Sequence, residues 1–313
     1  MKKFFLHIVL FFVIVAVVDL GFGQLCEMLS AHARGGMMKE VRQIAKEQKA
    51  DVVVMGSSRA HHHYVPSILT DTLGLTAHNA GFDGNGIVLA NGLRCLIYNR
   101  YTPSVILYDV TPGFDITTNS MDGNNTRYLG PLRPYYYNEE VRKVLSEVDF
   151  FENFKNLSSM FRYNSSIIEL LKDQIIVGDF HSDGYSPLFG TMTRSIDDMN
   201  SVYETTGDPA ISIMGDKAPI DSLKYKILDN FVSTVSETDT RLVFIVSPRW
   251  KGTNAESLKP IKEICENYGI EFWDYSNAPE FQNIEYYKDR IHLNDYGSRV
   301  FSGMIAHRLR QTN

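Results

Sequence analysis

Apolar and polar residues follow three rhythms along this chain. The first is continuous. Residues 4–18 hold no Lys, Arg, Asp or Glu, and after Asp19 the apolar character resumes as far as Phe22. Wound as a helix, residues 4–22 extend roughly 28 Å, close to the ~30 Å hydrocarbon core of a bilayer. The second rhythm consists of short apolar runs at 51–55, 76–80, 104–110, 241–247 and 270–275, most of them rich in β-branched residues. Runs of this length without alternation predict strands buried on both faces, as in a parallel sheet. The third is helical. Residues 87–98 precede the third run, 255–268 carry Ile261, Ile264 and Cys265 on one face, and 294–310 carry a stripe of Val300, Phe301, Met304, Ile305 and Leu309 behind an N-cap candidate, Asn294. Strands alternating with helices predict a three-layer α/β/α fold around a central parallel sheet.

The expected division is a transmembrane signal-anchor at 1–22, a helical lead-in at 23–50 and an α/β domain at 51–313. Within the lead-in, Val41, Ile44 and Ala45 fall at helical spacing. An insertion at about 114–223, rich in Tyr, Asn, Ser and Asp, breaks the rhythm and reads as a cap over the functional edge of the sheet. Lys2 and Lys3 precede the apolar run, which predicts a cytoplasmic N-terminus and an extracytoplasmic domain, periplasmic or at the cell surface. A cleaved signal peptide is the competing reading. No small-x-small site follows the run, however, and Leu25 stands before Cys26 where a lipoprotein signal would want a small residue. Asp19 either sits at the membrane interface or pairs within an assembly.

Composition narrows the function. The chain has 313 residues, 44% apolar and 22% charged, which fits a globular protein. Its net charge of -6 and its lack of a basic run argue against nucleic-acid binding. Cys26, Cys95 and Cys265 make neither a disulfide framework nor a zinc pattern, and the last two lie in apolar helical stretches as core residues. His61, His62 and His63 resemble a metal tract. Consecutive helical side chains point about 100° apart, so no metal site is expected there, although one of the three is expected to line a pocket.

Three short motifs carry chemistry. Gly56-Ser57-Ser58-Arg59 follows the first strand run, where a serine opening a helix exposes its hydroxyl and aims its N–H at a developing oxyanion. A helix N-cap is the other use of such a serine. Asn79-Ala80-Gly81-Phe82-Asp83-Gly84 follows the second run, and a glycine N–H there serves as a second oxyanion donor. Asp289-Arg290-Ile291-His292 stands just before the last helix, a spacing that lets the carboxylate hold the imidazole in the tautomer a general base needs. A structural surface pair is its alternative. Tyr135, Tyr136, Tyr137 and Trp250 serve either sugar stacking or core packing. Arg59 serves the nucleophile turn, an anionic substrate or the structure.

In order and position these motifs resemble the SGNH (GDSL-like) hydrolase superfamily, from residue 51 to 310 with the insertion uncovered. The likeness is to the membrane-anchored branch that handles cell-envelope acyl groups, where the first block reads Gly-Ser-Ser. The resemblance implies an SGNH/flavodoxin-like fold and a serine esterase needing no cofactor. Ser58 would be the nucleophile, His292 the base, Asp289 its orienter, and the N–H groups of Ser58 and Gly84 the oxyanion hole. Ser57, in the slot usually held by Asp, is the runner-up nucleophile. The expected substrate is an acylated carbohydrate or another envelope ester, O-acetyl first. The alternatives are an O-acyltransferase using the same residues and a non-catalytic glycan-binding scaffold. One departure stands out. The third block normally supplies an Asn after the third strand, and residues 108–115 hold none. Asn85 is the candidate replacement.

Overall fold

The computed structural model describes residues 1–118, 125–175, 182–192, 218–250 and 255–312. The chain opens with α1 (Lys2–His32) and α2 (Met37–Lys46), followed by β1 (Val52–Gly56), α3 (Ser58–His63), α4 (Pro66–Leu73) and β2 (Ala77–Gly81). Next come α5 (Ile87–Tyr98), β3 (Val105–Asp109), the single turn α6 (Pro112–Asp115), α7 (Glu139–Val148), α8 (Glu152–Lys155), α9 (Ser159–Tyr163) and α10 (Ile167–Lys172). It closes with α11 (Ser222–Ser236), β4 (Arg241–Val246), α12 (Ala255–Tyr268), β5 (Glu271–Asp274) and α13 (Asp295–Gln311). These elements fall into two compact units, Met1–Glu47 with Asn124–Phe180, and Gln48–Gly123 with His181–Asn313.

The second unit is α/β. Its five strands are all parallel, in the order β2-β1-β3-β4-β5. β1 and β3 are buried along their whole length, which is why their sequence shows unbroken apolar runs instead of alternation. The chain leaves β1 for β2 on one side, then crosses to lay β3 on the other side of β1. That reversal opens a crevice at the carboxyl ends of β1 and β3, where Gly56 and Asp109 are register partners. Gly56 has φ 137°, and a Cβ there would come 2.5 Å from the Asp109 carbonyl oxygen. Only glycine lets β1 turn into α3 so close to β3. Phe301 of α13 receives the rings of Tyr64, Tyr275 and Phe281 at 5.4–5.6 Å. Asn294 caps that helix by accepting the Gly297 N–H at 2.9 Å, as its sequence position predicts.

In the first unit α1 runs past Phe22 to His32, so the expected helical lead-in begins as a continuation of the same helix. No proline interrupts residues 23–32. Cys26 and Leu29 pack there against Tyr163, Ile167 and Leu170, which rewards continuing the helix. α1 is long and apolar enough to cross a membrane, and every residue from 4 to 18 is exposed. Asp19 finds its partners within its own chain. Its carboxylate accepts the Ser158 hydroxyl at 2.6 Å and the N–H groups of Ser159 and Met160 at 2.7 and 2.9 Å, capping α9. Parts of the expected insertion, at 119–124, 176–181 and 193–217, lie outside the described residues.

Candidate active site

The crevice at the ends of β1, β2 and β3 holds a cavity of about 250 Å³. Ser57, Ser58 and Arg59 enter it from the start of α3, Asp83 and Gly84 from the turn after β2, Thr111 and Phe114 from the turn after β3, and Ile291 and His292 from the loop before α13. Each of the three sequence motifs thus contributes to one wall or another.

Ser58 Oγ lies 2.7 Å from His292 Nε2. The Asp289 carboxylate stands on the far side of the ring, with Oδ2 at 2.9 Å and Oδ1 at 3.1 Å from Nδ1. A carboxylate only accepts, so Nδ1 carries the proton and Nε2 offers its lone pair to the serine. Asp289 Oδ1 also accepts the N–H groups of Ile291 and His292, each at 2.8 Å, which ties the carboxylate to the turn it orients. Burial pushes this carboxyl upward, but the hydrogen bonds from the His292 ring and from the Ile291 and His292 N–H groups outweigh it and hold the group below its usual value. The next residue is clamped as well. The Leu293 N–H donates to His63 Nε2 at 2.9 Å, which leaves His63 Nδ1 to donate to Ser247 Oγ at 2.9 Å. Burial, with the charges of His292, Arg59 and His62, keeps His63 neutral by driving its pKa well down.

Ser57 has a different fate. It is the N-terminal flanking residue of α3, yet its side chain makes no cap bond. Its hydroxyl instead meets Thr111 Oγ1 at 2.7 Å, and the residue is 1% exposed. Arg59 is fully buried and has a structural role. Its guanidinium donates to the carbonyls of Val110 and Ser247 and to Thr111 Oγ1, and lies 3.4 Å from Asp109 Oδ1. Burial raises the Asp109 carboxyl and Arg59 pulls it back, leaving it above its usual value. Gly84, at φ 65°, lines the cavity in a backbone conformation that favours glycine. Asn85 is not in the cavity wall, and its side-chain amide donates to the Asp83 carbonyl at 2.8 Å.

The histidine run departs from expectation. His61 and His62 do converge, with stacked rings 4.9 Å apart and with Asp83 Oδ1 2.9 Å from His61 Nδ1 and 3.0 Å from His62 Nε2. Rotation at χ1 and χ2 swings adjacent ring tips toward a shared carboxylate, despite the angle between their Cβ vectors. Among the described residues this is the one group of three whose ligand atoms lie within 4.8 Å of one another. Ligands about 2.0 Å from a tetrahedral zinc stand roughly 3.3 Å apart. The shorter separations to Asp83 are hydrogen-bond distances. His62 Nδ1 donates to the Ser186 carbonyl at 2.7 Å, so both its nitrogens face acceptors, the state of an imidazolium. Burial opposes that charge, but Asp83 and the Ser186 carbonyl outweigh it and raise the His62 pKa. A charged pair therefore sits in the cavity wall, with the His62 ring 5.4 Å from that of His292.

No family model matches the chain, and no curated protein matches it. The site rests on its own geometry. Sequence reasoning did not single out Thr111, Phe114 or Ile291, and it named Asp83 only as part of the glycine turn. Thr111 carried a usable signal, since it stands just after the third strand where an Asn was expected. Trp250 is partly buried and packs against Tyr287 at the edge of the core, with ring centroids 5.5 Å apart. Tyr135, Tyr136 and Tyr137 belong to the other compact unit. Cys26, Cys95 and Cys265 are buried, and none of them is in a disulfide.

Proposed function

We propose that the chain is a serine hydrolase of SGNH type, a three-layer α/β/α domain tethered by α1, which cleaves acyl esters of envelope or polysaccharide substrates. The observation that carries this reading is the line from Ser58 Oγ through His292 to Asp289, with bonds of 2.7 and 2.9 Å, set in a cavity at the strand-order reversal. A serine hydroxyl is a weak nucleophile until a neighbouring base takes its proton. In this reading Ser58 attacks the ester carbonyl while His292 accepts its proton. His292 then protonates the leaving alcohol and activates the water that frees the acid, and Asp289 stabilises the imidazolium formed on the way.

Ser58 is the first helical residue of α3, so its N–H has no partner within the helix and is available to an oxyanion. Gly84 supplies the second N–H. Thr111 lines the wall after β3, in the stretch where the third block would place an Asn. A space of about 250 Å³ suits a short acyl group such as acetyl. Lys2 and Lys3 support an extracytoplasmic placement of the domain. The test is turnover of simple acetyl esters by the full chain and its Ser58→Ala variant, with and without an added glycan acceptor. Turnover by the native chain alone supports the reading, and acetyl groups recovered on the glycan would make it a transferase. Equal turnover by a folded Ser58→Ala protein overturns it.

A further inference from the structure

Residues 4–18 of α1 are all exposed and extend roughly 22 Å, and Leu20, Leu25 and Met28 continue the exposed apolar surface beyond them. Asp19 and the buried positions after it are joined to α9 and α10. If α1 spans, the ~30 Å hydrocarbon core takes in Asp19 and whatever surrounds the helix there. The three bonds from Asp19 to Ser158, Ser159 and Met160 fix what that is. Leu157 and Met160 flank the bonded turn, and Phe150, Phe151 and Phe154 lie within the two helical turns before it. All five are exposed, between 47% and 65%. The three phenylalanines form a cluster, with Phe150 5.8 Å from Phe154 and 6.0 Å from Phe151. Water would be a poor solvent for such a surface.

We propose that residues 150–160 form a second lipid-contacting face, seated in the headgroup and acyl boundary of the leaflet where α1 emerges. The proposal rests on α1 spanning the bilayer, and its register along α1 gives it content. Asp19 enters the apolar zone as a carboxylate already satisfied by α9. Lys155, within the same segment and paired with Asp149 at 2.6 Å, keeps its ammonium among the headgroups. Exposed apolar character alone is not the criterion. Ile175 is 80% exposed, but its neighbour Asp173 accepts the Arg34 N–H at 2.9 Å. That places it beyond the end of α1, about 20 Å further along the helix axis than Asp19 and out of reach of lipid.

Depth-resolved quenching tests this directly. The native cysteines are buried, so single cysteines introduced by Ile14→Cys, Phe154→Cys, Leu157→Cys and Ile175→Cys can each carry an environment-sensitive fluorophore in the full chain. The labelled proteins are placed at high dilution in phosphatidylcholine vesicles, with or without brominated acyl chains. The expected result is loss of fluorescence at positions 14, 154 and 157 and none at 175. Quenching at 14 with 154 and 157 as silent as 175 overturns the lipid face while leaving the span intact, and would direct the patch to a second copy or an integral membrane protein. Silence at 14 removes the span and the proposal together. Quenching at 175 as strong as at 157 contradicts the register.

Discussion

The two compact units differ in where their largest clusters of apolar side chains face. In the sheet unit Phe231, Phe244, Phe281 and Phe301 are all 1% exposed or less, and Arg59 and Lys224 are buried as well. Those two cations reach carbonyls or a carboxylate, with Lys224 Nζ donating to Gly113 and Thr117 at 2.9 Å each. In the N-terminal unit Phe150, Phe151 and Phe154 face outward at 60–65% exposure, as does the whole run 4–18. Burial of apolar area against water accounts for the first unit. It does not account for the exposed phenylalanines and the run 4–18 of the second, which suit a less polar medium such as the bilayer that α1 is long and apolar enough to cross. On the proposed reading, the difference separates what holds the reactive groups from what positions the protein.

Substitutions can break that separation, and the largest effect falls on the reactive groups. His292→Ala should reduce ester turnover by about 10⁵–10⁶-fold, and Asp289→Asn by about 10⁴-fold, through loss of the base and of its tautomer. Adding Ser58→Ala to His292→Ala should cost little more, because the three act as one unit. Steady-state kinetics on an acetyl ester, with thermal melting to show that each variant is folded, gives both numbers. Losses that multiply independently would mean the residues do not share a step.

Next in size is the core. Phe301→Ala should destabilise the sheet unit by about 3–5 kcal/mol, since three rings lose their common partner. Urea midpoints measure this. Acid should act on the same unit. Burial drives the His78 pKa down to about 4, so the folded state binds its proton less readily than the unfolded chain. The stability this group supplies is complete above pH 6.5 and is lost as pH falls toward 4, about 2 kcal/mol of it between pH 7 and pH 5. His63, also depressed by burial, acts in the same direction. A His78→Asn variant should flatten the dependence of the urea midpoint on pH, and an unchanged slope would contradict the burial argument. The smallest effect sharpens the contrast most. Phe154→Ala should change folding stability in detergent by no more than about 0.5 kcal/mol and leave turnover unchanged, because its ring is already exposed.

Much of the sheet unit was legible because its strands are buried on both faces and its helices carry one apolar stripe. The five runs predicted as strands all form strands, with ends shifted by a residue or two, as at Ala77–Gly81. The site motifs were legible because a strand end, a glycine turn and an Asp-x-x-His spacing are local signals. Less legible were contacts made across long loops. The pairing of Ser57 with Thr111 and the pairing of His61 and His62 with Asp83 depend on how close neighbouring strand ends come, which no window of residues contains. That α1 and the start of the lead-in form one helix was not legible for a similar reason. Its last ten residues are helical where they pack on α9 and α10, more than 130 positions away in sequence. Asp19 offered two readings for the same cause, since its partners Ser158, Ser159 and Met160 are equally remote.

The central claim is that Ser58, not Ser57, is an activated nucleophile, because its hydroxyl alone of the two meets His292 while that of Ser57 meets Thr111. Covalent labelling of the native full chain with a fluorophosphonate, followed by mass mapping of the modified peptide, reads this without any assumption about the natural substrate. One adduct per chain is predicted, on Ser58, formed at a rate that collapses in His292→Ala. An adduct on Ser57 would contradict the assignment by one residue. No adduct on a folded protein that also cleaves no ester would contradict the hydrolase reading itself and leave a scaffold with the geometry of a site.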